Sequence, residues 1–206
     1  MNLAPGFTKM TKGAKVVIMP TDIELFSLSA GGVPEPKADW TDAASKFFKA
    51  ALIEKKNAMG LSTVELSNTA ADELAEINAL HGAIARSIAL HHFGIFKLPT
   101  KDGKLDWSMG EAAARLREKT GADYALFTWV RDSYASGERV AAMIALAILG
   151  IGITGGAQVG YASLVDLNTN QVVWFNSLFR MSGDLREADK AKETLNALLD
   201  KFPTAP

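Results

Sequence analysis

The chain has 206 residues, 48% apolar and 22% charged, the profile of a folded globular protein long enough to bury a core. Lys and Arg total 22 against 23 Asp and Glu, a net charge of -1 with no long single-sign block, and this excludes a nucleic-acid footprint. There are no cysteines, which excludes disulfides, thiolate chemistry and Cys-bearing zinc sites.

The opening stretch, MNLAPGFTKMTKGAK, lacks the basic and apolar regions of a secretory signal. It fits a cytoplasmic chain, or a mature form whose leader has been removed. KVVIMP, residues 15–20, is a β-branched run closed by proline and predicts a buried strand. Gly and Pro in SLSAGGVPEPKAD, residues 27–39, predict a loop, after which Asp39 or Thr41 caps a helix. Ala44, Phe47, Phe48, Ala51 and Leu52 recur on one face of that helix, Lys55 and Lys56 suit its carboxyl end, and Gly60 stops it. The largest basic cluster, Lys46, Lys49, Lys55 and Lys56, is interleaved with Glu54 and reads as the solvated side of this helix.

LSTVELS, residues 61–67, predicts a second short strand. Ser67, Asn68 and Thr69 then supply caps ahead of Asp72 and Glu73 for a helix ending at about Phe93. Its apolar stripe is Leu74, Ile77, His81, Ile84, Ile88 and His91. LPTKDGKLD is a turn, and Ser108 with Glu111 forms a capping-box pattern opening a helix that carries Met109, Ala113 and Leu116 and ends at Gly121. ADYALFTWVRDSY, residues 122–134, is aromatic and β-branched and apolar on both faces at first, which predicts a central strand.

YASLVDL and QVVWFNSLFRM, joined through Asn168, Thr169 and Asn170, predict an antiparallel hairpin. Ala188, Ala191, Leu195, Leu198, Leu199 and Phe202 place one apolar face on a closing helix capped by Ser182 or Asp184. The predicted fold class is α/β: a mixed sheet packed with helices, βαβαα, then a central strand, an apolar insert, the hairpin and a C-terminal helix. One domain covers 1–206, with the glycine-rich apolar insert at 138–156.

The insert, AAMIALAILGIGITGGAQVGY at 141–161, allows three readings. Gly150, Gly152 and Gly155 have the spacing of a dinucleotide loop, but such a loop needs a following helix and an acid about 20 residues on. The next acid, Asp166, stands only 11 residues after Gly155. Residues 140–165 carry no charge, yet the continuous apolar run stops at Ile153, too short for a span of roughly 20 residues. The third reading is a helix at about 138–149, apolar on all sides, that packs on its own core, on a partner or a second copy, or on lipid. Met143, Ile144, Leu146, Ile148, Leu149, Ile151 and Ile153 would each lose roughly 1.5–3 kcal/mol of burial if left wet. Seven such losses rival a domain's net stability of about 5–15 kcal/mol. These seven side chains are the candidate interface.

No catalytic constellation stands out. His81 and His92 lie about 16 Å apart along one helix, and His91 and His92 point away from each other, so His81 and His91 read as part of the apolar stripe and not as metal ligands. No serine occupies a Gly-x-Ser-x-Gly elbow. Asp22 with Glu24 flanks a strand end, and Asp72 with Glu73 fits a helix's first turn. Trp40, Trp107, Trp129 and Trp174 are dispersed and read as packing anchors. No cofactor, metal or nucleic acid is expected.

KVVIMP, the phrase GADYALFTWVRD and the hairpin ASLVDLNTNQVVWFNS together resemble the α/β domain of the curli-secretion-channel lipoprotein family, the TolB amino-terminal domain and related envelope lipoproteins. Gly121, Ala122, Asp123, Leu164, Val165, Asp166, Val172, Val173 and Trp174 stand at the positions of the family pattern, and Asn170 replaces its usual turn glycine. The likeness covers about half the chain and departs from the family between Tyr134 and Tyr161. It implies a non-enzymatic protein of the bacterial envelope, periplasmic or attached to the outer membrane by an amino-terminal lipid, that works through protein contacts. The alternative is a soluble nucleotide-binding protein or enzyme using the Gly150–Gly155 loop.

Overall fold

The computed structural model describes residues 2–64, 66 and 74–204. The caps proposed at Ser67, Asn68 and Thr69, with Asp72 and Glu73, lie outside the described residues. Strands β1 (Lys15–Ile18), β2 (Asp22–Leu28), β3 (Pro34–Pro36) and helix α1 (Ala38–Ala58) are followed by β4 (Ser62–Val64) and α2 (Ala75–Ile88). The latter runs into a π-helical turn at Ala89–Phe93. Then come α3 (Ala112–Thr120), β5 (Tyr124–Ala135), α4 (Gly137–Ile148), β6 (Gln158–Asp166), β7 (Gln171–Arg180) and α5 (Ala188–Leu198).

The β-branched and aromatic run of β5 makes it the centre of the sheet. Along one side β6 pairs antiparallel from Tyr124↔Asp166 to Asp132↔Gln158, and β7 pairs with β6. On its other side β1 and β2 lie end to end, both parallel to β5. The break between them falls at Pro20, which has no N–H to give the ladder. Thr21 and Thr128 bridge it, hydroxyl to hydroxyl at 2.8 Å. β4 adds to β1 in parallel, and β3 adds to β2 antiparallel. The mixed α/β sheet expected from the sequence is therefore present, with two strands more than the pattern showed. β2 alternates buried and half-buried residues from Ile23 on, and β3 lies within the stretch expected to be loop.

Helices cover both faces. Val16, Leu25, Leu126, Leu164 and Trp174 face α1 and α5, which present Ala44, Phe48, Ala51, Leu52, Ala191, Leu195 and Leu198. Val17, Phe127, Tyr161, Val165 and Phe175 face α2 and α3, which present Ile77, Ala85, Ile88, Ala113 and Leu116. The hairpin turn forms as expected: Asn170 takes φ 62°, and the Asp166 carboxylate accepts the N–H of Asn168 at 2.8 Å. Gly121 ends α3 with φ 62°.

Three expected caps do not form, because tertiary partners claim the Thr41 and Ser108 side chains and a local turn claims Asp184. α1 starts at Ala38 without a side-chain cap, and the Thr41 hydroxyl instead accepts the Leu25 N–H at 3.0 Å, fastening helix to sheet. Ser108 donates to the Asn170 carbonyl and accepts from Gly110, so no capping box joins it to Glu111. Asp184 accepts the Arg186 N–H, while α5 begins only after Glu187 and has no side-chain cap.

His81 is fully buried, stacked on Phe127 with ring centroids 3.8 Å apart and hydrogen-bonded through Nε2 to the Ser163 hydroxyl at 3.0 Å. Burial lowers its pKa from 6.5 to about 3. Below pH 6.5 the unfolded chain binds a proton that the folded chain refuses until about pH 3, so His81 withdraws stability as the pH falls through that window. The slope is up to about 1.4 kcal/mol per pH unit. Unfolding titrations of wild type and His81→Phe, which keeps a ring on Phe127, should show a flatter pH dependence for the variant over this range; parallel curves contradict the assignment.

The glycines of the insert serve chain geometry. Gly156 has φ 147°, and a Cβ there would lie 1.9 Å from the Ser133 carbonyl oxygen, whereas a Cβ on Gly152 would meet nothing within 4 Å. Gly156→Ala is expected to cost at least about 1–3 kcal/mol from the backbone alone, and Gly152→Ala to stay within about 0.5 kcal/mol. Equal losses in chemical denaturation would contradict this.

Candidate interaction surface

β5 and β6 are adjacent antiparallel strands, so a short turn could join Ala135 to Gln158. The chain instead places α4 and a glycine-rich loop between them. Ser136 starts the helix, its hydroxyl accepting the Arg139 N–H at 3.1 Å. The carboxyl end closes with Gly150 and Ile151 N–H groups on the Ala147 and Leu146 carbonyls.

A polar frame holds the base of the insert. Gln158 donates to Asp132 at 2.6 Å, and Arg180 and Thr194 donate to the Gln158 carbonyl at 2.8 and 2.9 Å. Tyr134 donates to the same Asp132 oxygen and accepts the Leu185 N–H at 2.7 Å. Burial pushes the Asp132 carboxyl up, against the hydrogen bonds from Tyr134 and Gln158, and pushes the Tyr134 phenol up as well. One strand step further, Ser133 and Ala157 exchange hydrogen bonds at 3.0–3.1 Å.

Arg139 ties the helix to the body. It is the one buried residue of α4, and its guanidinium donates to the Thr154 carbonyl at 2.8 Å and to the Ser29 and Ala30 carbonyls at 3.4 Å. Met143 turns inward too, its methyl close to Gly155.

The remaining apolar side chains face water. Ile144 is 62% exposed, Ile148 81% and Leu149 72%, and Val140 and Ile151 are exposed as well. Met143, Leu146 and Ile153 are half-buried. Of the seven residues singled out from the sequence, Met143, Ile144, Leu146 and Ile148 lie on α4 and Leu149, Ile151 and Ile153 follow it, and none reaches the core. Val140, Ile144 and Ile148 form a ridge at i, i+4 and i+8 that spans about 12 Å, and Ile151 follows in the loop. Sequence reasoning included Val140 in the apolar run 140–153 expected to make contacts but not among the seven named side chains, and it missed Arg139 as the anchor. The signals available were the four-residue step to Ile144 and a lone cation at the start of an uncharged run. It also missed the frame around Asp132, whose members come from four separate elements.

The order here is helix, glycines, strand, the reverse of a dinucleotide loop, so no helix amino terminus follows Gly155 to receive a pyrophosphate. α4 is about 18 Å long, and no helix among the described residues is long and apolar enough to cross a membrane. The remaining chemistry-bearing residues are spread through the fold. Asp22 and Glu24 both pair with Arg131, at 2.8 and 3.3 Å, and His91 donates through Nδ1 to the Phe96 carbonyl of the loop that follows it.

No protein-family model matches the chain, and comparison with curated proteins gives no match. Among solved structures, the PelC dodecamer from Paraburkholderia phytofirmans is similar over 97% of this chain and 94% of its own, at 12% identity and a TM-score of 0.41. Lipoprotein GNA1162 from Neisseria meningitidis is similar over 92% and 96%, at 13% identity and 0.35. The LpoB C-terminal domain from Escherichia coli is similar over 86% and 87%, at 12% identity and 0.33.

Proposed function

We propose that this chain is a non-enzymatic protein of the bacterial envelope, on the periplasmic face or attached to the outer membrane, that works through protein contacts made by α4 and the loop after it. The observation that carries this reading is the exposed ridge Val140, Ile144 and Ile148, with exposed Leu149 and Ile151 just beyond, on a helix the fold does not need for its core. Large apolar side chains left in water at adjacent positions cost roughly 1.5–3 kcal/mol each, and a partner surface recovers that free energy. No charged residue stands between Val140 and Val165, so two copies of the ridge can meet without burying a charge. The envelope setting rests on the sequence resemblance.

Self-association through α4 is tested by Ile144→Asp and Ile148→Asp, made separately. Both positions are exposed, so each variant should fold with stability within about 0.5 kcal/mol of wild type. Each should sediment as a monomer at concentrations where the wild type assembles. Assembly unchanged in both variants overturns the proposal. Arg139→Ala supplies a second arm: it leaves three carbonyls without their donor and should weaken assembly by loosening the helix, with the thermal midpoint of the sheet domain little changed.

A further inference from the structure

A second exposed feature, separate from α4, lies at the β7 edge of the sheet. β7 pairs with β6 on one side only. Its outer side is occupied from residue 172 to 175: Val172 N–H donates to the Trp107 carbonyl, Ala4 N–H to the Val173 carbonyl, and Phe175 N–H to the Asn2 carbonyl, at 2.8–2.9 Å. Residues 2–4 run antiparallel to the strand here, with Leu3 opposite Trp174. Beyond the register shift at Val173 the backbone groups alternate sides along the strand, so the N–H and C=O of Ser177 and Phe179 point outward like the N–H of Phe175. Among the described residues nothing meets them.

This free edge carries none of the usual protections. From Ser177 to Phe179 it has no proline, the one register shift of the β6–β7 ladder falls further back at Val173, and Phe179 is 72% exposed with Met181 exposed beyond it. Ser177 and Phe179 share a face with Tyr161 and Val159, their partners on β6. On that face a mostly apolar groove of about 450 Å³ opens between the carboxyl end of α2 and the sheet, lined by Ala89, Leu90, Trp129, Tyr161 and Phe179. Its floor is rigid: Trp129 and Tyr161 stack at 5.5 Å, and Arg131, held by Asp22 and Glu24, caps the Trp129 ring at 4.8 Å.

We propose that the edge at Ser177–Phe179 is a strand-addition site for an extended segment of a partner protein, running antiparallel to β7 in line with residues 2–4. Continuity with that existing pairing fixes direction and register. Residues of the partner opposite Ser177 and Phe179 lie on the groove side and must be apolar. The residue between them falls on the other face, opposite half-buried Leu178 and beside Arg180 with its ion pair to Glu193, where a threonine offers a methyl to the one and a hydroxyl to the other.

The probe is a short capped peptide of alternating valine and threonine, with the same peptide N-methylated at alternate residues as control. At saturating peptide, amide exchange at Ser177 and Phe179 should slow at least about tenfold while the α4 amides are unaffected. Phe179→Ser, at an exposed position, should weaken binding about tenfold, and Ser177→Pro, which removes an outward N–H, should abolish it. Absence of binding at millimolar peptide, binding without slower exchange at these two amides, or equal binding of the N-methylated control overturns the proposal. Slow exchange at both amides that deepens with protein concentration before peptide is added would assign the edge to a second copy and also overturn it. None of these outcomes bears on assembly through α4.

Discussion

The pairing of Asp132 with Gln158 at the end of the β5–β6 ladder is the contact on which the unusual part of this molecule depends. The amide donates to a buried carboxylate that also takes the Tyr134 hydroxyl, and the amide oxygen is held by Arg180 and Thr194. A buried carboxylate is costly unless its lone pairs are filled, and here β5, β6, β7 and α5 all contribute to filling or bracing it. The frame therefore locks the two strand ends at a fixed separation, and the 25 residues that separate the two in sequence must leave and return there. This makes the insert a defined projection with a rigid root.

Both faces of the sheet are already covered, by α1 and α5 on one side and α2 and α3 on the other, so the apolar surface of α4 finds no room on the core. Its single buried residue is a cation, Arg139, which reaches back to three backbone carbonyls, while its isoleucines point outward. That inversion, charge inside and hydrocarbon outside, is the reverse of a helix evolved to face water, and it is what a surface awaiting another polypeptide presents. The free edge of β7 follows a similar logic with different chemistry: unfilled backbone groups there, unfilled hydrocarbon on α4.

Much of the framework was legible in the sequence because its signals are local. The alternation and turn chemistry of the hairpin, the β-branched run of β1, the aromatic run of β5 and the stripes of α1, α2 and α5 each fix an element without reference to the rest. β2 escaped because Pro20 closes β1 and the same strand line resumes two residues later, and β3 because three residues with two prolines read as loop. The caps at Thr41, Ser108 and Asp184 were misplaced since a short polar side chain serves a helix, a local turn or a tertiary partner equally well, and only the fold decides. For the candidate surface, the seven apolar residues were readable from composition, but whether they face core or solvent depends on what already covers the sheet. The Asp132 frame joins residues up to 62 apart, and no spacing rule announces it.

Hydroxyl-radical footprinting of the wild-type protein across a dilution series tests the central claim most directly, because it reports side-chain coverage by position. The account predicts that Ile144, Ile148, Leu149 and Ile151 label strongly in dilute protein and become protected together as the molar mass rises, with Ile77 and Leu195 protected throughout. Labelling of the four that stays high at every concentration, or protection that comes only with added lipid vesicles, would contradict it.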